Sequence, residues 1–371
     1  MHPTSKWLLT PCLPTALCVL ILFTVTERGN PAEPSEAEKL GALLENVAAF
    51  ESQYRDVEAE WRVLYRHDPE KHTKPSHDFI IESETTIRAI YQGEWTKEIE
   101  RTTSKTLFGK STEYRSERSD DGELFVNVGG AVVNHVLDRR APRRAFRPHL
   151  MVFVTMDFEN SLSTWLRGGD QDPSNPEEKG HRVLRWEGEG QWQGLRTVRV
   201  REERGPDAAT AFCYQIEFVP DRSWLPVRVV SWDHRNKHLI ASQEEVKEVK
   251  ELTPGLWVPT HIEGTMSDQG SLRKGIQQTD RYYELRVTRL SASPNYSKTF
   301  FSEYTLPPDA TIYEVKGGKI IRTLQRAAGE VVASERHWLR GWLPWAGGAA
   351  VLLSLIVTAW ALRRRVRHAG P

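Results

Sequence analysis

Three histidines, His67, His72 and His77, recur every five residues in HDPEKHTKPSHD, and with Asp68 or Asp78 they supply the donor types of a zinc site. A five-residue step follows neither one face of a helix nor one side of a strand, and Pro69 and Pro75 make the segment a loop. No metal is expected there. His234 and His238 stand at i and i+4, but they bracket Arg235-Asn236 in what reads as a hairpin turn, where helical spacing has no meaning. Cys213 lies in an alternating strand, opposite the aromatic set. No Gly-x-Ser-x-Gly elbow, phosphate loop or paired-carboxylate signature occurs in the chain. The expectation is a non-enzymatic protein with no catalytic residue and no cofactor.

Arg139, Arg140, Arg143, Arg144 and Arg147 crowd one segment, and Pro142 and Pro148 prevent a long helix through it. The planar guanidinium fork fits phosphate oxygens, so these residues are candidates for contact with anionic phospholipid headgroups or an acidic partner; a solvated loop is the alternative. Lys+Arg and Asp+Glu are 50 each, and four of the arginines, Arg363, Arg364, Arg365 and Arg367, sit together at the C-terminus. Without them the balance is 46 to 50, which gives no pull toward nucleic acid. Two of the three cysteines, Cys12 and Cys18, fall in the N-terminal apolar run, so the body has neither a disulfide scaffold nor a cysteine zinc cluster.

That N-terminal run, Trp7 to Val25, is preceded by Lys6 and followed by a polar, Pro-containing stretch, the layout of a secretory signal peptide or an uncleaved signal anchor over 1–26. Trp342 to Leu362 is 21 residues without a charge, enough at ~1.5 Å per residue to cross a ~30 Å hydrocarbon layer. Trp342, Trp345 and Trp360 lie near its ends, and the arginine cluster follows directly. The expected topology is a single-pass protein of the cytoplasmic membrane, its body on the periplasmic or extracytoplasmic side and a basic tail, 363–371, in the cytoplasm.

Between the ends, Leu40, Leu43, Leu44, Val47 and Phe50 have helical spacing, and the chain then switches to a period of two at Val57, Ala59, Trp61, Val63 and Tyr65. The alternation returns at Ile87, Ala89 and Tyr91, at Trp95, Lys97 and Ile99, at Phe212, Tyr214, Ile216 and Phe218, and at Tyr283, Leu285 and Val287, with turn signals between the runs. A short helix is expected from about Asn160 to Leu166 and an exposed loop from Asp170 to Gly180. About ten strands with two modest helical segments to cover one apolar face predict a mainly β fold, a curved antiparallel sheet lidded by helices around an apolar cavity. A fully packed sandwich is the other arrangement the pattern permits.

Several segments resemble the outer-membrane lipoprotein-sorting superfamily, the LolA/LolB-like half-barrels, and within it a divergent bacterial branch with membrane anchors. YRDVEAEWRVLY (Tyr54–Tyr65) is similar to the family's first long strand after its opening helix, and YQIEFVPDRSWLPVRVVSWD (Tyr214–Asp233) to the strand, Pro-Asp turn and strand of its second half. GLWVPTHIEG (Gly255–Gly264) and TFFSEYTLPPDATIYE (Thr299–Glu314) are similar to the strand that follows and to the closing aromatic segment. The resemblance covers roughly 35–314 and implies a half-barrel domain there and a lipid, acyl chain or lipoprotein as ligand, which leaves 315–341 as a membrane-proximal linker before the expected span. Trp61, Val63, Tyr65, Ile87, Tyr91, Phe212, Tyr214 and Ile216 are the candidate cavity lining. The chain departs from a soluble carrier in its C-terminal span, since a tethered body does not diffuse across a periplasm. An envelope sensor or scaffold that binds a protein partner is the second functional expectation.

Overall fold

Strands dominate because the period-two alternation lets each run bury one side. In the computed structural model, which describes residues 34–71, 78–137, 147–153, 161–168, 181–205, 207–307, 309–316, 319–325 and 331–332, helix α1 (Glu36–Glu51) opens the body with Leu43, Val47 and Phe50 buried along one stripe. A first meander follows: β1 (Asp56–His67), β2 (Ile80–Gln92), β3 (Trp95–Thr106), β4 (Ser111–Asp120), β5 (Phe125–Gly129) and β6 (Val132–Val136). After the short helix α2 (Leu162–Arg167), a second meander comprises β7 (His181–Trp192), β8 (Leu195–Gly205), β9 (Phe212–Val219), β10 (Leu225–Trp232), β11 (Ile240–Thr253), β12 (Leu256–Ser267) and β13 (Thr279–Ala292). Helix α3 (Gln269–Arg273) links β12 to β13, and α4 (Lys298–Ser302) follows β13.

β1 pairs antiparallel with β13, which joins the two meanders into one large curved open sheet. Beyond α4, β14 (Tyr304–Thr305) pairs with β17 (Val331–Val332) outside the main sheet. β15 (Thr311–Lys316) lies parallel to β6, and β16 (Lys319–Gln325) forms the edge beyond it, opposite the other edge at β7. The main sheet has 15 strands among the described residues. It runs past Glu314, the limit expected from the sequence. The alternation that marks the other strands is broken in β16, where a register shift between Arg322 and Ile320 leaves Ile321 as an extra residue.

Residues directly opposite each other across strands share a face. On the inner face Trp61 meets Ile87, Val63 meets Leu285 and Ile216 meets Val229, and α1 and α2 cover the cluster they form. The apolar side changes over in the first meander. Trp95 and Lys97 face outward, where Trp95 packs on Phe301, and Val126, Val128 and Val133 join Tyr304, Leu306 and Ile312 in a second cluster. Lys97 Nζ pins this cover, with Glu117 at 2.9 Å and hydrogen bonds donated to the Phe300 and Glu303 carbonyls. Glu98, Glu100, Ser116 and Arg118 take the inner face of the same strands.

Among the described residues no helix is long and apolar enough to cross a membrane. The expected signal at 1–26, the span Trp342–Leu362, the basic tail and the loop Asp170–Gly180 lie outside the described residues.

Candidate functional site

Most of the expected cavity lining is packed core. Trp61, Val63, Ile87, Tyr91 and Ile216 are at most 4% exposed. Against them stand α1 and the 3-10 turn Pro148–Phe153, whose six residues are all buried, so the chain itself fills this end of the inner face. The Tyr91 hydroxyl donates to Glu98 at 2.9 Å, and burial drives its pKa well above the usual tyrosine value.

One carboxylate fastens the filling elements together. Glu51, 3% exposed at the end of α1, accepts from the Leu162 and Ser163 amides at 2.6 and 2.8 Å, at the start of α2. Its Oε1 also lies 3.0 Å from His149 Nε2 on the 3-10 turn. Burial opposes the charge on Glu51, but the bonds from His149 and Ser163 outweigh it and hold the pKa at about 2. Burial lowers the pKa of His149, against the pull of Glu51. The consistent assignment is a neutral imidazole donating through Nε2 to an ionised carboxylate. Nothing in the sequence singled out Glu51, since one acid at the end of an amphipathic helix reads as solvated.

The other end of α2 is held by two arginines of the second meander. Ser161 caps the helix through a hydrogen bond from the Thr164 amide, and Gly168 closes it at φ 83°, a left-handed position that suits glycine. Arg182 and Arg204 donate to the Trp165 carbonyl at 3.0 and 2.8 Å, and Arg182 also to that of Leu166. Both guanidiniums lie 3.0 Å from Glu202, which is fully buried. Burial raises the Glu202 pKa, and the two arginines pull it back only in part. Cations at the C-terminal carbonyls suit the helix dipole, and the Arg204 guanidinium stacks 4.6 Å from the Trp165 ring centre.

Beside this assembly opens a pocket of about 350 Å³, lined by Trp165, Arg204, Phe212, Tyr214, Ser231, Trp232, Asp233, His234, Ala241, Ser242, Met266 and Gln269. Tyr214, Ser231, Ser242 and Met266 form one row across β9 to β12, so the floor is the inner face of the sheet. Tyr214 meets Trp165 edge to face at 5.7 Å, and burial pushes its pKa up to about 12. Phe212 is 47% exposed at the rim and packs against His234 at 5.0 Å. Of the expected lining, then, Phe212 and Tyr214 border open space. Tyr65 packs at the margin of the core beside Tyr283. Trp165, Arg204 and Met266 were not foreseen, although Val198, Val200, Glu202 and Arg204 carry the same alternation as Phe212 to Phe218.

On the outer face a groove of about 280 Å³ is lined by Arg66, Glu245, Lys247, Glu263 and Glu284 among others, and offers an apolar ligand little. Among the described residues no group of three His, Cys, Asp or Glu is placed to hold a metal. His67 packs edge-on against Phe79, while His72 and His77 lie outside the described residues. Cys213 is buried, and burial raises its thiol pKa, the wrong direction for a nucleophile. Arg139, Arg140, Arg143 and Arg144 lie outside the described residues; the charge of Arg147 is felt by Tyr91 and His149.

Fold and site together define a mainly β protein with one wide open sheet and an aromatic-lined pocket on its helix-covered face. No family model and no curated protein matches the chain. Solved structures similar to it include a DUF1329 family protein from Desulfovibrio piger, at 11% identity and a TM-score of 0.36 over 71% of this chain and 96% of that one. Another, from Vibrio parahaemolyticus, is described as an outer membrane lipoprotein-sorting protein domain, at 7% identity and a TM-score of 0.38 over 71% and 97%. A third is the Mycobacterium tuberculosis lipoprotein LppX, at 10% identity and a TM-score of 0.24 over 69% and 99%. At these identities the likeness concerns fold and nothing finer.

Proposed function

We propose that this chain is a membrane-tethered, extracytoplasmic, non-enzymatic half-barrel of the LolA-like kind that binds one acyl chain, from a lipid or a lipoprotein, on the inner face of its sheet. The observation that supports this most is the pocket between α2 and β9 to β12. It has an aromatic and thioether wall, Trp165, Phe212, Tyr214 and Met266, and a floor with the polar handles Ser231 and Ser242. Its volume of about 350 Å³ is near the lower end for ligand sites, which suits one chain better than a whole lipid. The buried core beyond Tyr214 is support for that wall.

Saturable binding of a fluorescent fatty acid by the full chain in detergent tests the reading, with quenching of Trp165 and Trp232 as a second signal. Phe212→Asp puts a charge on the rim without disturbing the core and should weaken binding about tenfold or more, by analogy with the cost of an unpaired charge in an apolar site. Absence of saturable binding by the unaltered chain, together with crosslinking that recovers a protein and no lipid, would transfer the role to a sensor or scaffold.

A further inference from the structure

β16 is the outermost strand at one edge of the sheet, paired with β15 and, among the described residues, with no strand on its other side. Ile320 is 60% and Ile321 54% exposed, and Ile321 is the extra residue of a register shift in the pairing of β16 with β15. A long edge with open N–H and C=O groups and exposed β-branched side chains is one that proteins normally cover. Between Thr311 and Gln325 three cations, Lys316, Lys319 and Arg322, stand against one carboxylate, Glu314. Leu324 packs on the second apolar cluster, so the strand belongs to the body.

The course of the chain indicates what covers this edge. β17 pairs with β14, whose Tyr304 belongs to that same cluster. From Val332 to Trp342, where the uncharged run begins, is ten residues, a reach of at most roughly 35 Å when fully extended. A span at Trp342–Leu362 therefore keeps this side of the body near the bilayer.

We propose that β16 is a membrane contact, laid edge-on to the lipid surface. The exposed Ile320 and Ile321 enter the boundary between headgroups and acyl chains, Lys316, Lys319 and Arg322 meet anionic headgroups, and the open backbone groups stay hydrated in the headgroup layer. The proposal rests on the reading that Trp342–Leu362 spans the membrane.

The test uses the full chain in nanodiscs of phosphatidylethanolamine and phosphatidylglycerol. Cys12→Ser, Cys18→Ser and Cys213→Ala clear the background, and Ile320→Cys carries an environment-sensitive fluorophore. Lipid brominated near the headgroup end of its chains should quench that label about twofold or more, and should leave one at Tyr282→Cys on the outer face unchanged. Neutral phosphatidylcholine discs, or charge reversal at Lys316, Lys319 and Arg322, should remove about half of the quenching. An unquenched label in a chain that remains in the disc overturns the proposal. So does an efficient disulfide between the 320 positions of two copies, which would assign the edge to self-association. A chain that fails to enter the discs and does not float with vesicles refutes the span instead, and the proposal falls with it.

Discussion

Glu51 joins three elements by three hydrogen bonds to a single side chain: its own helix, the 3-10 turn through His149, and the first amides of α2. Its pKa, lowered from 4.5 to about 2, gives stability that is complete above about pH 4.5 and is lost as pH falls through 2. His149 works in the same direction. Its pKa is lowered below 6.5, so its contribution is whole above 6.5 and drains away below it as acid forces a charge into the dry site. The carboxylate's share is about 3 kcal/mol at most, from the drop between 4.5 and about 2. Glu51→Gln should therefore lower the urea stability of the full chain in detergent by roughly 2–3 kcal/mol at pH 7, and flatten its loss between pH 4.5 and 2. A variant whose stability falls with acid as steeply as the parent's would remove Glu51 from this role.

At the scale of elements, the neighbours β12 and β13 show how closely the inner face is packed. Gly264 lies opposite Tyr283, and a Cβ on it would sit 2.1 Å from the ring. The ring is 3% exposed, so moving it off the contact disturbs buried surroundings. Gly264→Ala should cost about 1–3 kcal/mol, and in a background of Tyr283→Ala most of that increment should vanish. A thermal-melt cycle of the four chains checks this; equal increments in both backgrounds would mean that the clash is relieved elsewhere. The helix α1, the strand β1 and the antiparallel order of both meanders were legible in the sequence because each has one period and one buried side. Their faces were legible only where the apolar side stayed constant. At Trp95 and Lys97 the core passes to the other face, and a local alternation cannot tell which of two covers it meets. The pocket was legible in part for a related reason. Phe212 and Tyr214 lie on a readable strand, whereas Trp165 sits on a short helix that is held by Glu51 and Arg204, contacts more than 30 residues apart in sequence.

For the whole molecule, the decisive quantity is which side of the membrane holds the body, since an acyl-binding pocket and a lipid-facing edge strand have meaning only there. Three features of the sequence bear on it independently. The apolar run Trp342–Leu362 has the length expected of a span, four arginines follow it against Arg336 and Arg340 before it, and a signal-like segment at Trp7–Val25 would direct the intervening chain outward. Alkaline phosphatase fused after Glu314 should be active and fused after Pro371 inactive. Carbonate should leave the full chain in the membrane, and deletion of 341–371 should release it if the N-terminal signal is cleaved. Retention after that deletion would mean two spans with the body still outside, because an uncleaved N-terminal anchor gives the same orientation. Activity of the fusion at Pro371 would reverse it: the body would then lie in the cytoplasm, the arginines would stand on the wrong side, and neither β16 nor the pocket would face the leaflet argued for them.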